Sequence, residues 1–225
     1  MINVAIDGPV GAGKSTVARE CAKRLGIIYV DTGALYRSCA LFCIKNNVEI
    51  SAENEVAISA LLNDKLDLYI KIEDGTQHVI VNGEDVSDLI RTPEISMAAS
   101  TVSALPSVRA FLLEMQRSIA AKESVIMDGR DIGTVILPNA DIKIFITAKP
   151  EIRAKRRYDE LVSKGVEVTL GEVLVDVNRR DYNDTHRKEA PLKQAPDAIM
   201  IDTSELSFEE TVCGVVDLIR DLGKL

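Results

Sequence analysis

The chain has no tryptophan and only two histidines, His78 and His186, and aromatic residues make up 4% of its 225 positions. So few ring faces cannot form the stacking platforms that hold single-stranded nucleic acid. Two isolated histidines give no support to His-based metal centres or to Ser-His-Asp hydrolysis. Nowhere do eighteen apolar residues run together, and Asp7 follows Met1 too closely for a basic segment with a long apolar core. Neither a membrane span nor a secretory leader is therefore expected, and a cytoplasmic location is. Positive charge is also scarce. Lys and Arg number 27 against 35 Asp and Glu, a net charge of −8, which disfavours general affinity for nucleic acid or anionic membrane. Small phosphates remain open to it if arginines converge locally. The four cysteines, Cys21, Cys39, Cys43 and Cys213, lie in apolar helical patterns and are expected as buried thiols in a reducing compartment. Cys39 and Cys43 are one helical turn apart but have no third metal ligand nearby in sequence.

What the chain does have is Gly8-Pro9-Val10-Gly11-Ala12-Gly13-Lys14-Ser15-Thr16, a G-x-x-x-x-G-K-[ST] match. Ile2, Val4 and Ile6 alternate with polar or small residues before it, as in a strand. Val17, Ala18, Cys21, Ala22 and Leu25 follow it at helical spacing until Gly26. Glycines at 8, 11 and 13 let backbone N–H groups turn toward phosphate oxygens, and the helix adds the positive end of its dipole. Lys14 can reach β- and γ-phosphates and the Ser15 hydroxyl can ligate Mg²⁺. A tight strand-to-helix turn alone would need neither. The stretch 8–16 is thus the candidate ATP site.

The remaining pattern is α/β, and 46% apolar content is enough to bury a full core. Apolar strands are expected near 2–7, 27–30, 125–127, 142–146 and 199–201, separated by helical segments. Asp31-Thr32 signals a helix N-cap and Asn46-Asn47 a helix end, with a further helix near 52–63. Leu66, Leu68, Ile70 and Ile72 alternate, Asp74-Gly75 and Asn82-Gly83 turn the chain, and a small antiparallel meander results over about 66–86. Pro106 splits the helical stretch from Pro93 to Ala121 in two. Helices near 151–163, 171–188 and 207–222 complete a five-stranded parallel sheet wrapped by helices.

Four further segments carry candidate chemistry. Asp31-Thr32-Gly33-Ala34-Leu35-Tyr36-Arg37 follows the second strand, at the carboxyl edge where such sheets bind ligands. Its Thr32 and Arg37 are phosphate contacts or else a helix cap and an exposed arginine. Asp128-Gly129-Arg130-Asp131 ends another apolar strand, with Asp128 resembling the acid that assists Mg²⁺ in phosphate-loop proteins and Gly129 letting the chain turn. Arg153, Arg156 and Arg157 fall on one side of a helix by spacing, and a solvated charged face would explain them as well. Arg180, Asp184 and Arg187 recur at four and three residues, hence on one helix face, where an ion-pair ladder is the alternative to a site.

This ordered set, together with Ile90-Arg91-Thr92, Ile132-Gly133-Thr134 and Ala190-Pro191-Leu192, resembles the bacterial cytidylate kinase family of nucleoside monophosphate kinases. The resemblance covers nearly the whole chain, and the meander sits where that family carries an extra sheet. It implies one kinase domain with a core at 1–31, 122–150 and 189–225, a monophosphate-binding region at 32–121 and a lid at 151–188. The implied reaction is phosphorylation of CMP and dCMP by ATP with Mg²⁺, in pyrimidine nucleotide metabolism. The implied catalytic residues are Lys14, Arg130, Arg153, Arg157 and Arg180. Thr32, Arg37, Arg130 and Arg180 would hold the acceptor phosphate and ribose side; Ser100, Arg109 and Asp131 would read cytosine; Asp184 and Arg187 would contact the sugar. Ser15 and Asp128 would hold the metal, Asp128 through water. A monomer is expected, as a lid must swing. The residues alone leave open a kinase for another small anionic acceptor such as shikimate. A GTP-driven switch is less well supported, because no N-K-x-D motif occurs.

Overall fold

The structure, a computed structural model, describes residues 1–73 and 75–223. Five strands, β1 (Asn3–Asp7), β2 (Ile28–Asp31), β6 (Val125–Gly129), β7 (Ile142–Thr147) and β8 (Ile199–Asp202), form a sheet in the order β2-β6-β1-β7-β8. Val4 pairs with Ile142 and Ile144 with Ile199, both in parallel register. Each expected core strand is present within a residue or two. The short apolar runs Val-Ile-Met and Ile-Phe-Ile are what strands covered on both faces require.

By internal contacts the chain divides into two compact units. The first contains Met1 and Ile27–Val125, and includes α2 (Thr32–Lys45), α3 (Glu55–Lys65), α4 (Pro93–Val102) and α5 (Pro106–Ala120). It also holds the antiparallel sheet β3 (Leu68–Glu73), β4 (Thr76–Val81) and β5 (Glu84–Asp85). Asp31 caps α2, accepting from Ala34 N at 3.0 Å, and Asn46 and left-handed Asn47 end it. Pro106 starts α5, and α4 and α5 diverge by 99°. Leu35, Cys39, Cys43, Ile58, Leu62, Leu68, Val79, Val81 and Leu112 pack into one core, so the meander is fastened to the helices by its inward face. Asn82-Gly83 forms the second turn as expected, with φ of 50° and 83°. Of the first turn, Asp74 lies outside the described residues.

The second unit contains Ile2–Gly26 and Ile126–Leu225. It comprises the central strands with α1 (Lys14–Leu25), α6 (Pro150–Ser163), α7 (Leu170–His186) and α8 (Phe208–Gly223). Val4, Ile6, Ile126, Ile144 and Ile146 are buried in it. A separate small core of Ala154, Leu161, Val173 and Val177 joins α6 to α7, and Thr169 with Glu172 makes a capping box at the start of α7. Cys213 departs from expectation. Val212, Val215, Val216 and Ile219 form the buried stripe of α8, and Cys213, falling off that stripe, is exposed beside Arg24 and Glu209. Cys21, Cys39 and Cys43 are buried as expected. Among the described residues no single helix is long and apolar enough to cross a membrane.

Candidate active site

In the second unit, β1 delivers the chain into the phosphate loop at Gly8, whose φ is 149°. A Cβ at Gly8 would lie 1.9 Å from the Ile146 carbonyl oxygen on β7, so the loop can leave the sheet here only without a side chain. Gly13 is the N-cap of α1 and offers no side-chain acceptor. The first turn of the helix therefore presents its N–H groups outward. Lys14 is buried and donates to the Pro9 carbonyl at 2.8 Å. Its ammonium is driven down to about 7 by burial and by the nearby Arg130 charge, against the pull of Asp128, Asp184 and Asp7. Ser15 Oγ donates to Asp128 Oδ2 at 2.7 Å, joining the two expected metal-holding residues.

Arginines gather beside this loop. Arg130 Nε donates to Asp184 Oδ2 at 2.8 Å. Burial works against the Arg130 charge, but Asp184, Asp128 and Asp181 together raise its pKa. Arg180 lies 2.9 Å from Asp176 in an ion pair. Its guanidinium is pulled below the usual arginine range by burial and, despite Asp176, by the charges of Arg157 and Arg130. Arg187 Nη2 donates to Asp131 Oδ1 at 3.2 Å and its Nε to Ala190 O at 2.7 Å. The expected alternative for Arg180, Asp184 and Arg187, a ladder along one helix, is not what forms. Asp184 is taken by Arg130, while Arg187 has already left α7 with ψ of 143°.

The three arginines of α6 also part company, because each finds a different partner. Arg153 is 4% exposed; its Nε donates to Ala148 O at 2.8 Å, its Nη1 to Val10 O at 3.0 Å, and its Nη2 pairs with Asp181 at 2.7 Å. It braces the phosphate loop at Val10. Arg156 turns to Thr203, at 2.9 Å to Oγ1 and 2.7 Å to the carbonyl, and Arg157 pairs with Glu160 at 2.7 Å. The Arg157 charge also bears on Arg180.

Asp7 is a residue whose role sequence reasoning missed. Its two carboxylate oxygens accept from Ile132 N and Gly133 N, both at 2.8 Å. They hold a π-helical turn over Ile132–Ile136 that begins immediately after Asp131. Burial pushes Asp7 up to about 6, the two N–H donors oppose that, and the Asp131 charge adds to it. The available signal was a carboxylate at the buried end of a strand. Gly129 is the last residue of β6, and the turn follows it after Arg130 and Asp131.

The first unit holds its own constellation. Arg37 Nη2 donates to Asp31 Oδ2 at 2.8 Å, while Arg37 Nε is buried with no hydrogen-bond partner. Thr32 is buried in the first turn of α2. Arg109 Nη1 donates to Ser103 O at 3.2 Å and its guanidinium lies 5.7 Å from the centre of the Tyr36 ring. Ser100, half-buried on α4, accepts from Ser103 Oγ through its carbonyl at 3.0 Å. Tyr36 and Ser103, which orient Arg109, carry no signature that marks them in sequence.

A five-stranded parallel sheet with a phosphate loop after β1, a hydroxyl–carboxylate pair at its helix and clustered arginines defines a phosphate-loop phosphotransferase. The family model for cytidylate kinase matches residues 4–221, and the chain belongs to the cytidylate kinase family. It is 51% identical over 223 residues to the cytidylate kinase of Caldicellulosiruptor bescii, covering 99% of this chain and 97% of that one. It is also 50% identical over 218 residues to the cytidylate kinase of Carboxydothermus hydrogenoformans, covering 97% of each. Among solved structures, a shikimate kinase from Bacteroides thetaiotaomicron covers 100% of this chain and 99% of its own at 13% identity, with a TM-score of 0.49. The protein is a kinase and a transferase, and the family's reaction is ATP-dependent.

Proposed function

We propose that the chain transfers the γ-phosphoryl group of ATP to CMP or dCMP, giving CDP or dCDP and ADP. The observation that carries this reading is the phosphate loop with its buried Lys14 and the Ser15–Asp128 pair beside a group of cations: burial and Arg130 depress Lys14, and burial, Arg157 and Arg130 depress Arg180. Neighbouring carboxylates hold these positive charges in place, and a polyanion adds the counter-charge that offsets their mutual repulsion. Lys14 and the phosphate loop over residues 8–16, whose residues other than Pro9 each carry a backbone N–H, hold the triphosphate. Arg130, Arg157 and Arg180 meet charge developing on the transferred group, and Arg153 acts by fixing the loop through Val10.

The Ser15–Asp128 pair suits a hard divalent cation of Mg²⁺ type, which favours one or two protein oxygens and completes its shell with phosphate and water. When bound, Mg²⁺ would neutralise charge on the phosphate oxygens. Thr32 and Arg37 are assigned to the acceptor phosphate. Ser100, Arg109 and Asp131 are assigned to the base, and Asp184 and Arg187 to the sugar. The Asp131 carboxylate accepts from the cytosine amino group, whereas uracil would oppose it with a carbonyl acceptor. No strong general base is required, because the acceptor phosphate is ionised near neutrality and orientation carries the rate. Residues 151–188 serve as a lid that excludes water, the chain acts as a monomer, and its setting is the cytoplasm.

Product formation from Mg·ATP with CMP, dCMP, UMP, AMP, GMP and shikimate offered separately tests the reading. Rapid CDP and dCDP formation with little hydrolysis in the absence of acceptor is the expected result. Slow hydrolysis with every acceptor would remove the cytidylate assignment.

A further inference from the structure

We infer that Gln77, on the antiparallel insert, is a positioning residue for the arginine that receives the acceptor phosphate. The inference rests on the assignment of Arg37 to that phosphate. Gln77 Oε1 accepts from the backbone N–H of Asp31 at 2.8 Å, and Gln77 Nε2 donates to the Asp31 carbonyl at 3.3 Å. A side-chain amide thus imitates a neighbouring strand at the last residue of β2. Asp31 uses both carboxylate oxygens forward, one to cap α2 at Ala34 N and one to hold Arg37 Nη2. Every polar group of this residue is then engaged, and the orientation of Arg37 is inherited from Gln77 through it.

The insert is a firm base for this. Gln77 stands opposite Ile72 in the β3–β4 ladder, and Leu68, Val79 and Val81 on the same two strands are embedded in the core shared with α2. Gly33 completes the device. A Cβ at Gly33 would come within 3.0 Å of Arg37 Nη1 and 3.1 Å of Asp31 Oδ1. Its absence lets the guanidinium fold back over the first turn. Arg37 Nε is left as a buried donor without a partner, which costs stability unless a ligand oxygen meets it.

The test compares Gln77→Met, which keeps length and loses both hydrogen bonds, with Gln77→Glu, which keeps the acceptor facing Asp31 N–H. Binding of CMP and of cytidine, which lacks the phosphate, is measured for each, along with KM for ATP. Gln77→Met should weaken CMP binding about five- to tenfold, the equivalent of roughly one lost hydrogen bond. It should leave cytidine binding and KM for ATP unchanged, and Gln77→Glu should recover part of the loss. In an Arg37→Met background, Gln77→Met should have no further effect on CMP. If Arg37→Met weakens CMP binding and Gln77→Met does not, or if Gln77→Met weakens cytidine and CMP alike, the positioning role is wrong. If Arg37→Met leaves CMP binding intact, the acceptor-phosphate assignment falls and the inference with it.

Discussion

Binding of Mg·ATP should draw a proton onto Lys14. The buried ammonium is held down to about 7 from an ordinary 10.5. A triphosphate reverses that by adding counter-charge beyond what Asp128, Asp184 and Asp7 supply, the Lys14 hydrogen bond going to the neutral Pro9 carbonyl. The sign follows from the direction of the shift. Between pH 7 and 10.5 the ligand-free protein has lost the proton that the complex keeps, so uptake accompanies binding and affinity falls as pH rises. At pH 7 about half a proton should be taken up, and at pH 8 about 0.9. The apparent association constant should drop about fifteenfold between pH 7 and 8.5. The same shift means that burying the charge costs the folded protein on the order of 5 kcal/mol below pH 7, relieved as pH rises toward 10.5. Titration calorimetry at pH 8 in two buffers of different ionisation enthalpy reads the uptake directly. Mg·ATP is fully ionised there, and Asp7, at about 6, no longer titrates. Lys14→Arg, which carries a permanent charge, should bind without uptake. Uptake near zero in the parent protein, or equal uptake in Lys14→Arg, would refute the account.

Three further outcomes follow from the same geometry. Asp128→Asn removes the carboxylate that receives Ser15. It should lower kcat about a hundredfold and raise the Mg²⁺ concentration needed for half-maximal rate; an unchanged Mg²⁺ dependence would take Asp128 out of the metal site. Asp131→Asn should erode the preference for CMP over UMP by about 1–3 kcal/mol, more than it slows transfer, as read in direct competition; unchanged selectivity would remove Asp131 from base reading. Asp7 holds more protons folded than unfolded between pH 3.8 and about 6, so its part of the stability falls as pH rises through that window. In urea unfolding, Asp7→Asn should therefore gain on the parent by up to about 3 kcal/mol from pH 4 to pH 7. A constant difference at the two pH values would contradict the shift.

The legible parts of this molecule were those written in local chemistry. Gly8 through Ser15 announce the phosphate loop because the backbone must approach phosphate at fixed intervals, and Pro106, Gly26 and Asn46-Asn47 mark ends because each fixes or frees a dihedral. Side-chain destinations were less legible. Spacing places Arg153, Arg156 and Arg157 together on a helix, but a long side chain chooses among partners that arrive from Val10, Thr203 and Glu160, distant or near in sequence. Asp7 and Gln77 were overlooked for a related reason. Each acts by receiving or bridging backbone groups 46 to 126 positions away, and no local pattern distinguishes such a carboxylate or amide from a solvated one. Cys213 was misread because 3.6-residue periodicity gives a stripe only to within one position at its edge.

An acidic chain with an arginine-rich site is internally consistent once the pairs are traced. In the second unit Arg130 has Asp184, Arg187 has Asp131, Arg153 has Asp181 and Arg180 has Asp176. A guanidinium carries five N–H donors, so one carboxylate can keep it folded and oriented without exhausting it. The carboxylates thus let cations stand close together before any phosphate arrives, which lowers the reorganisation needed when one does. Lys14 is the exception, with three donors on a point charge and a carbonyl for its hydrogen-bond partner. The arginines can keep their charge in either state, whereas Lys14 holds its proton securely only when phosphate is present. Occupancy of the triphosphate site should therefore register first as protonation at this one nitrogen, with the guanidinium charges unchanged.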